Sequence, residues 1–303
     1  MKALNKGFNF MSIKVKPISE KIGMQVINAD HQNILDLDRE EIINLFKKYG
    51  VLLFKNFQSN TEDFQEFSNS LSNNFRDYAG GAFNRKVINE DKTLLSVNDF
   101  QHEIKLHGEM YYQKNIPLLI WFFCANPASQ DGETIICDGR EIFNELSDSM
   151  KDILSKKKLK FTASATKEEW QKKYKADNID ELKEICKNNH TFLTIFEDES
   201  ISLEYVCPAI VSSRCGKYQV FINSLLAAKQ LNPKVIKFED DSEISDELIF
   251  EIDKIVEKLV AAIAWEKGDI LMIDNTRILH GRKAFSDPQR DIYIRLCDPA
   301  FPF

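Results

Sequence analysis

The sequence predicts a mainly β fold with surrounding helices, a barrel carrying a helical insertion over one mouth. Three observations lead there. Short runs of β-branched and aromatic residues recur from end to end, amphipathic stretches lie between them, and a charged stretch from Ile142 to Glu199 divides the β-rich text without linker composition of its own. The strand runs are Ile13–Val15, Val51–Phe54, Leu118–Cys124, Thr134–Cys137, Tyr218–Ile222, Asp269–Ile273 and Ile292–Leu296, most of them bounded by Gly, Pro, Asn or Asp. Among the helices, Asp38–Tyr49 sets Ile42, Ile43, Leu45 and Phe46 before a stop at Gly50. Thr61–Phe75 opens on acidic Glu62 and Asp63, which suit the first turn. Ser242–Trp265 carries Leu248, Ile252, Ile255 and Leu259 at helical spacing ahead of Gly268. Within the charged stretch, Lys167–Tyr174 and Ile179–Lys187 also read as helices. Residues 142–199 are therefore expected as a lid inserted in one domain spanning 1–303, with no internal repeat.

Composition narrows the partners. Of 303 residues, 43% are hydrophobic and 29% charged, which is ordinary for a globular chain, while 22 Phe point to a core or pocket rich in aromatic surface. With 40 basic and 47 acidic residues the formal net charge is −7, and there is no basic stripe to meet a phosphate backbone. The Lys156-Lys157-Lys158 run reads as solvated helix surface. Six cysteines lack CxxC spacing, and Cys124, Cys137, Cys207 and Cys297 sit in apolar or strand-like runs, so buried free thiols are expected. The apolar run Leu118–Ala125 is too short to span a bilayer, and the N-terminal MKALNKGFNFMSIKVKP has no apolar h-region. The expectation is a reduced, cytoplasmic protein without nucleic-acid or membrane partners. Met11 is an alternative start, with the first ten residues disordered.

The chemistry gathers around two of five histidines, His107 and His280; the others are His31, His102 and His190. In Leu106-His107-Gly108-Glu109, an extended backbone turns residues i and i+2 to one side, bringing an imidazole and a carboxylate together. Far along the chain, a strand runs through the turn-prone Asp274-Asn275 pair to His280-Gly281-Arg282. Two His and one carboxylate form the facial triad that leaves half of an octahedral ferrous ion open to ligands. H-x-E by itself is common, and an ordinary hydrogen-bonded strand histidine is the plain alternative for His107.

The surrounding text decides between them. Tyr49-Gly-Val-Leu-Leu-Phe-Lys-Asn56, His107-Gly-Glu109 with Met110-Tyr111-Tyr112 and Pro117, and Ile120-Trp-Phe-Phe-Cys124 follow one another in order. Gly132-Glu-Thr134, Trp265-Glu-Lys-Gly-Asp269, Ile273-Asp-Asn275, His280-Gly-Arg282 and the Arg290/Arg295 pair complete the series. In this ordered set the chain resembles the taurine dioxygenase and clavaminate synthase-like family of Fe(II)/2-oxoglutarate-dependent oxygenases. The resemblance implies a double-stranded β-helix (jelly roll) with the metal inside its mouth. It also implies Fe(II) held by His107, Glu109 and His280, with 2-oxoglutarate and O2 as co-substrates. Thr134 would hydrogen-bond one 2-oxoglutarate carboxylate, and an arginine would clamp the other. Strand alternation from Asp291 to Cys297 favours Arg295 for that clamp, with Arg290 as the alternate or a substrate-facing charge. Glu109 fills the carboxylate position that halogenating members leave small, so oxygenation is expected over chlorination. Tyr111, two residues beyond Glu109, is a candidate to face substrate.

The implied activity is a dioxygenase that hydroxylates or desaturates an unactivated C–H bond of a small amino-acid-like or natural-product metabolite, as in secondary metabolism. Two other classes compete. A zinc hydrolase would use the same His/Glu/His set with a general base but would have no need of Thr134 or the arginine. A non-catalytic binding protein on the same barrel would usually have lost a ligand.

Overall fold

The run Val51–Lys55 is apolar at nearly every position because it lies in the middle of a sheet covered on both faces. The computed structural model describes residues 13–79, 81, 85–98 and 100–302; the expectation for the first ten residues lies outside these. The larger sheet orders the strands Ile13–Pro17, Met24–Asn28, Val51–Lys55, Ile270–Asp274, Leu119–Asn126, Asp291–Pro299 and Ser72–Arg76, with Leu95–Ser96 also paired to Asp291–Pro299. Its pairings are antiparallel except that between Met24–Asn28 and Val51–Lys55. The smaller sheet orders Ala261–Ile263, Thr134–Asp138, Ile278–Arg282 and Ile104–His107. The two sheets form a jelly roll. Between them Leu53, Ile120, Phe122 and Ile294 of the larger meet Ile136, Ile263 and Ile278 of the smaller.

Helices cover both outer faces. Arg39–Tyr49 starts at an Asp38 side chain that accepts from Glu41 N and stops at Gly50 (φ 73°). Thr61–Leu71 is capped one residue earlier than its sequence suggests, by Asn60 in a capping box with Asp63. These helices close an outer core with Phe54, Trp121, Phe123 and Met272. Asp246–Leu259 and Gly139–Glu145 cover the other sheet over Ile135, Cys137 and Leu279.

The 142–199 stretch contains the expected helices Lys167–Tyr174 and Ile179–Asn188, but it is also part strand. Leu159–Ala165 and Phe192–Ile195 join Ile201–Cys207 and Ile236–Phe238 in a four-stranded sheet. The stretch therefore pairs with residues far beyond its expected end. Trp170, Leu182, Ile201 and Leu203 give it a small core of its own. Cys124, Cys137, Cys186, Cys207 and Cys297 are buried free thiols, and Cys215 is exposed. No described helix is long and apolar enough to cross a membrane.

One ion cluster ties the smaller sheet to its covering helix. Buried Asp138 receives Arg277 Nε at 2.9 Å and Arg140 Nη2 at 2.9 Å while capping Arg140 N. Burial alone would raise its carboxyl; the two guanidinium groups outweigh that and hold it below the usual range. A depressed folded-state value means that this stability is present above the unfolded value near 4 and is lost as pH falls through the folded one. We expect Asp138→Asn to cost about 3 kcal/mol at pH 7, measured by urea unfolding. The wild-type advantage should shrink below about pH 4.

Candidate active site

The strands Ile104–His107 and Ile278–Arg282 are antiparallel neighbours, and their register sets His280 directly opposite His107. Pairing alone makes two residues 173 positions apart in sequence into adjacent side chains, with ring centroids 4.4 Å apart. Glu109 follows its strand by two residues. Its Oε2 lies 3.8 Å from His107 Nε2 and 3.4 Å from His280 Nε2. One ligand atom from each of the three lies within 4.8 Å of the others.

The protonation states suit a metal. His107 Nδ1 sits 2.9 Å from Lys105 O, which fixes the proton there and leaves Nε2 as a lone pair directed at the other two residues. Burial and neighbouring His107 push His280 down to about 4 against the pull of Glu109, so its ring is neutral at pH 7. Its buried Nδ1 has no hydrogen-bond partner among the described residues. Burial would raise Glu109, but Arg85 and the imidazoles hold it well below the usual carboxylate range. Two imidazoles and a carboxylate, converging in a buried corner, fit a divalent iron ion.

Glu109 is fixed from behind by Asn275, which sequence reasoning saw only as a turn former. The Asn275 side chain accepts from Glu109 N at 2.8 Å and donates to Glu109 O at 3.1 Å and Pro117 O at 2.7 Å. Asn275→Ala would strand three buried main-chain groups. We expect a loss of about 3 kcal/mol in unfolding free energy and roughly tenfold weaker metal binding by calorimetric titration.

Beyond the triad, a narrow pocket of about 70 Å³ is lined by Thr134, Phe122, Arg282, Arg290 and Ile294. Thr134 Oγ1 accepts from Trp265 Nε1 at 3.1 Å. Arg290 is 3% exposed; its Nε donates to Gly132 O and its Nη1 to Asn98 Oδ1, and it forms no ion pair among the described residues. Desolvation and nearby Arg282 push it down to about 10, the mark of a buried cation short of an anion. Gly132 makes room for it: its φ is +73°, and a Cβ there would lie 3.0 Å from Arg290 Nε.

Arg295, the favoured clamp at the sequence level, lies outside this pocket. Its guanidinium stacks over Phe75 at 3.7 Å and donates to Gln65 O, Ser68 Oγ, Asn69 Oδ1 and Thr93 Oγ1 under the helix Thr61–Leu71. Alternation along the strand holds, but the apolar side, Ile292, Ile294 and Leu296, faces the barrel interior. A sheet covered on both faces is apolar on both, so hydrophobicity does not tell inside from outside. Tyr111 also departs from its expected place. Met110 takes φ 63°, the chain turns, and Tyr111 packs into the core with its hydroxyl on Asn275 O. Tyr112, not Tyr111, lines the open cavity beside the triad.

Arg85 went unseen in the sequence, where nothing but its charge marked it. Its Nη2 lies 3.2 Å from each Glu109 oxygen, and its guanidinium stacks on Tyr78 at 3.7 Å.

Comparison with known proteins agrees with this geometry. The family described as taurine catabolism dioxygenase TauD, TfdA family matches residues 14–297. A clavaminate synthase-like protein of Arabidopsis thaliana is 24% identical over 84% of this chain and 83% of its own. The dapdiamide synthesis protein DdaC of Enterobacter agglomerans is 22% identical over 86% of each. Among solved structures, PvcB of Pseudomonas aeruginosa superposes with a TM-score of 0.64 at 12% identity, covering 98% of this chain and 95% of that one.

Proposed function

The chain belongs to the TauD, TfdA family of iron(II)- and 2-oxoglutarate-dependent oxygenases, and from that premise we propose that it hydroxylates or desaturates an unactivated C–H bond of a natural-product or amino-acid-like metabolite. For hydroxylation the balance is R–H + 2-oxoglutarate + O2 → R–OH + succinate + CO2; desaturation removes two hydrogens and yields water in place of the inserted oxygen. His107, Glu109 and His280 hold the iron in this reading. When bound, iron supplies O2 activation and the oxidation of the C–H bond.

The protein's own residues bind, orient and exclude. Arg290 clamps the distal carboxylate of 2-oxoglutarate, and Thr134 receives the same co-substrate through its hydroxyl. The observation that carries the reading is the buried Arg290 guanidinium, without an ion pair among the described residues, in the pocket that also contains the triad. A zinc hydrolase would have no use for such a cation. Phe122 and Ile294 keep water from the pocket. Two relatives favour a natural-product substrate: DdaC is named for dapdiamide synthesis, and PvcB is described as an Fe, alpha-ketoglutarate dependent oxygenase from an isonitrile synthetic pathway.

The test is succinate formation from 2-oxoglutarate. It should require Fe(II), stop on chelation, and fail to recover with Zn(II). Hydrolysis restored by Zn(II) without 2-oxoglutarate would replace this reading with the hydrolase.

A further inference from the structure

The triad pocket opens into a second, much larger cavity of about 670 Å³ beneath the inserted sheet. That volume falls within the roughly 300–1,000 Å³ range of pockets for drug-sized ligands, far more than a free amino acid needs. Its walls are mostly apolar and aromatic, with Tyr112, Phe161, Tyr174 and Leu203 among them.

Its charge is one-sided. Among the described lining residues Glu109 is the sole acid, against Arg85, Lys173 and Lys234. Lys173, on the lid helix Lys167–Tyr174, forms no ion pair among the described residues, and burial alone pushes its ammonium down. Arg85 lines both cavities, so it stands where the metal pocket meets the larger space. Its side chain is 9% exposed, Nη2 is taken by Glu109, and Nη1 is buried without a hydrogen-bond partner among the described residues. A divalent cation held by the triad would draw on the charge of Glu109 and add positive charge beside Arg85. The guanidinium, paired with Glu109 in this structure, would then need a further anion in a site where an uncompensated charge is costly.

Resting on the oxygenase reading above, we propose that the substrate is a carboxylate larger than a free amino acid, such as an N-acylated amino acid or dipeptide. Arg85 holds its carboxylate near the triad, and its apolar body fills the cavity under the lid. Arg85 is then a specificity-determining residue, fixing which C–H bond lies next to the metal, and Lys173 adds long-range attraction for the anion.

The probes are N-acetyl-, N-butanoyl- and N-benzoyl-phenylalanine and the dipeptides Ala-Phe and Val-Tyr, each as free acid and as primary amide, with free phenylalanine as the small control. Binding is measured by calorimetry to the anaerobic protein loaded with Fe(II) and 2-oxoglutarate. At least one acid should bind ten times more tightly than its amide and than phenylalanine. Arg85→Met should erase the acid preference, and Lys173→Met should reduce it about threefold. The inference is overturned if acids and amides bind alike, if no acid binds, or if the preference survives in Arg85→Met. Should that variant not fold, Arg85→Gln makes the same comparison, and the wild-type acid–amide pairs decide by themselves. A protein that takes up neither Fe(II) nor 2-oxoglutarate refutes the oxygenase reading instead.

Discussion

Arg290→Gln weakens 2-oxoglutarate binding by two to three orders of magnitude, whereas Arg295→Gln leaves it within about twofold. The first expectation follows from removing one partner of a desolvated charge pair, which costs on the order of 2–5 kcal/mol, with each 1.4 kcal/mol worth tenfold. Glutamine keeps a donor near Gly132 O and Asn98 Oδ1, so the loop 130–133 should stay in place. The Arg295 variant should instead lose about 3 kcal/mol of stability, because four acceptors under the helix Thr61–Leu71 lose their donor. Calorimetric titration with 2-oxoglutarate, paired with urea unfolding, separates the two. The reverse outcome, with Arg295 controlling co-substrate affinity, would mean that the β-strand Asp291–Pro299 presents its other face to the ligand.

His280→Ala removes one of three donors and should weaken Fe(II) or Mn(II) binding by well over a hundredfold, since loss of mere supporting contacts around a metal already costs 10–100-fold. The consequence is visible without turnover. Metal at a hundred times its Kd stabilises the wild type by about 2.7 kcal/mol through linkage, so its thermal midpoint rises on adding Mn(II). The His280→Ala midpoint should not move. His102→Ala, at an exposed histidine outside the triad, serves as the control and should respond like the wild type.

Much of this was legible in the linear text. The strand and helix runs fall within a few residues of the observed elements wherever periodicity was strong, as at Arg39–Tyr49 and Lys167–Tyr174. The i, i+2 logic brought His107 and Glu109 together, and the ordered motifs located His280. What stayed hidden depended on contacts between distant segments. The strands of the inserted sheet, such as Phe192–Ile195 with exposed alternate positions, owe their conformation to partners such as Ile201–Cys207, not to their own composition. Which of Arg290 and Arg295 lines the triad pocket turned on which face of a doubly covered strand is inside, a tertiary property. Tyr111 was misplaced because a single left-handed residue, Met110, ended the alternation. Arg85 reaches Glu109 from a loop 24 positions away, and no spacing rule announces such a pairing.

The most direct test is anomalous X-ray diffraction from crystals grown with Mn(II) and 2-oxoglutarate. One strong metal peak should lie about 2.0–2.3 Å from a nitrogen of His107, a nitrogen of His280 and an oxygen of Glu109, with the 2-oxo acid reaching from it to Arg290. A metal bound without the imidazole at position 280, or a co-substrate carboxylate seated on Arg295, would contradict the account.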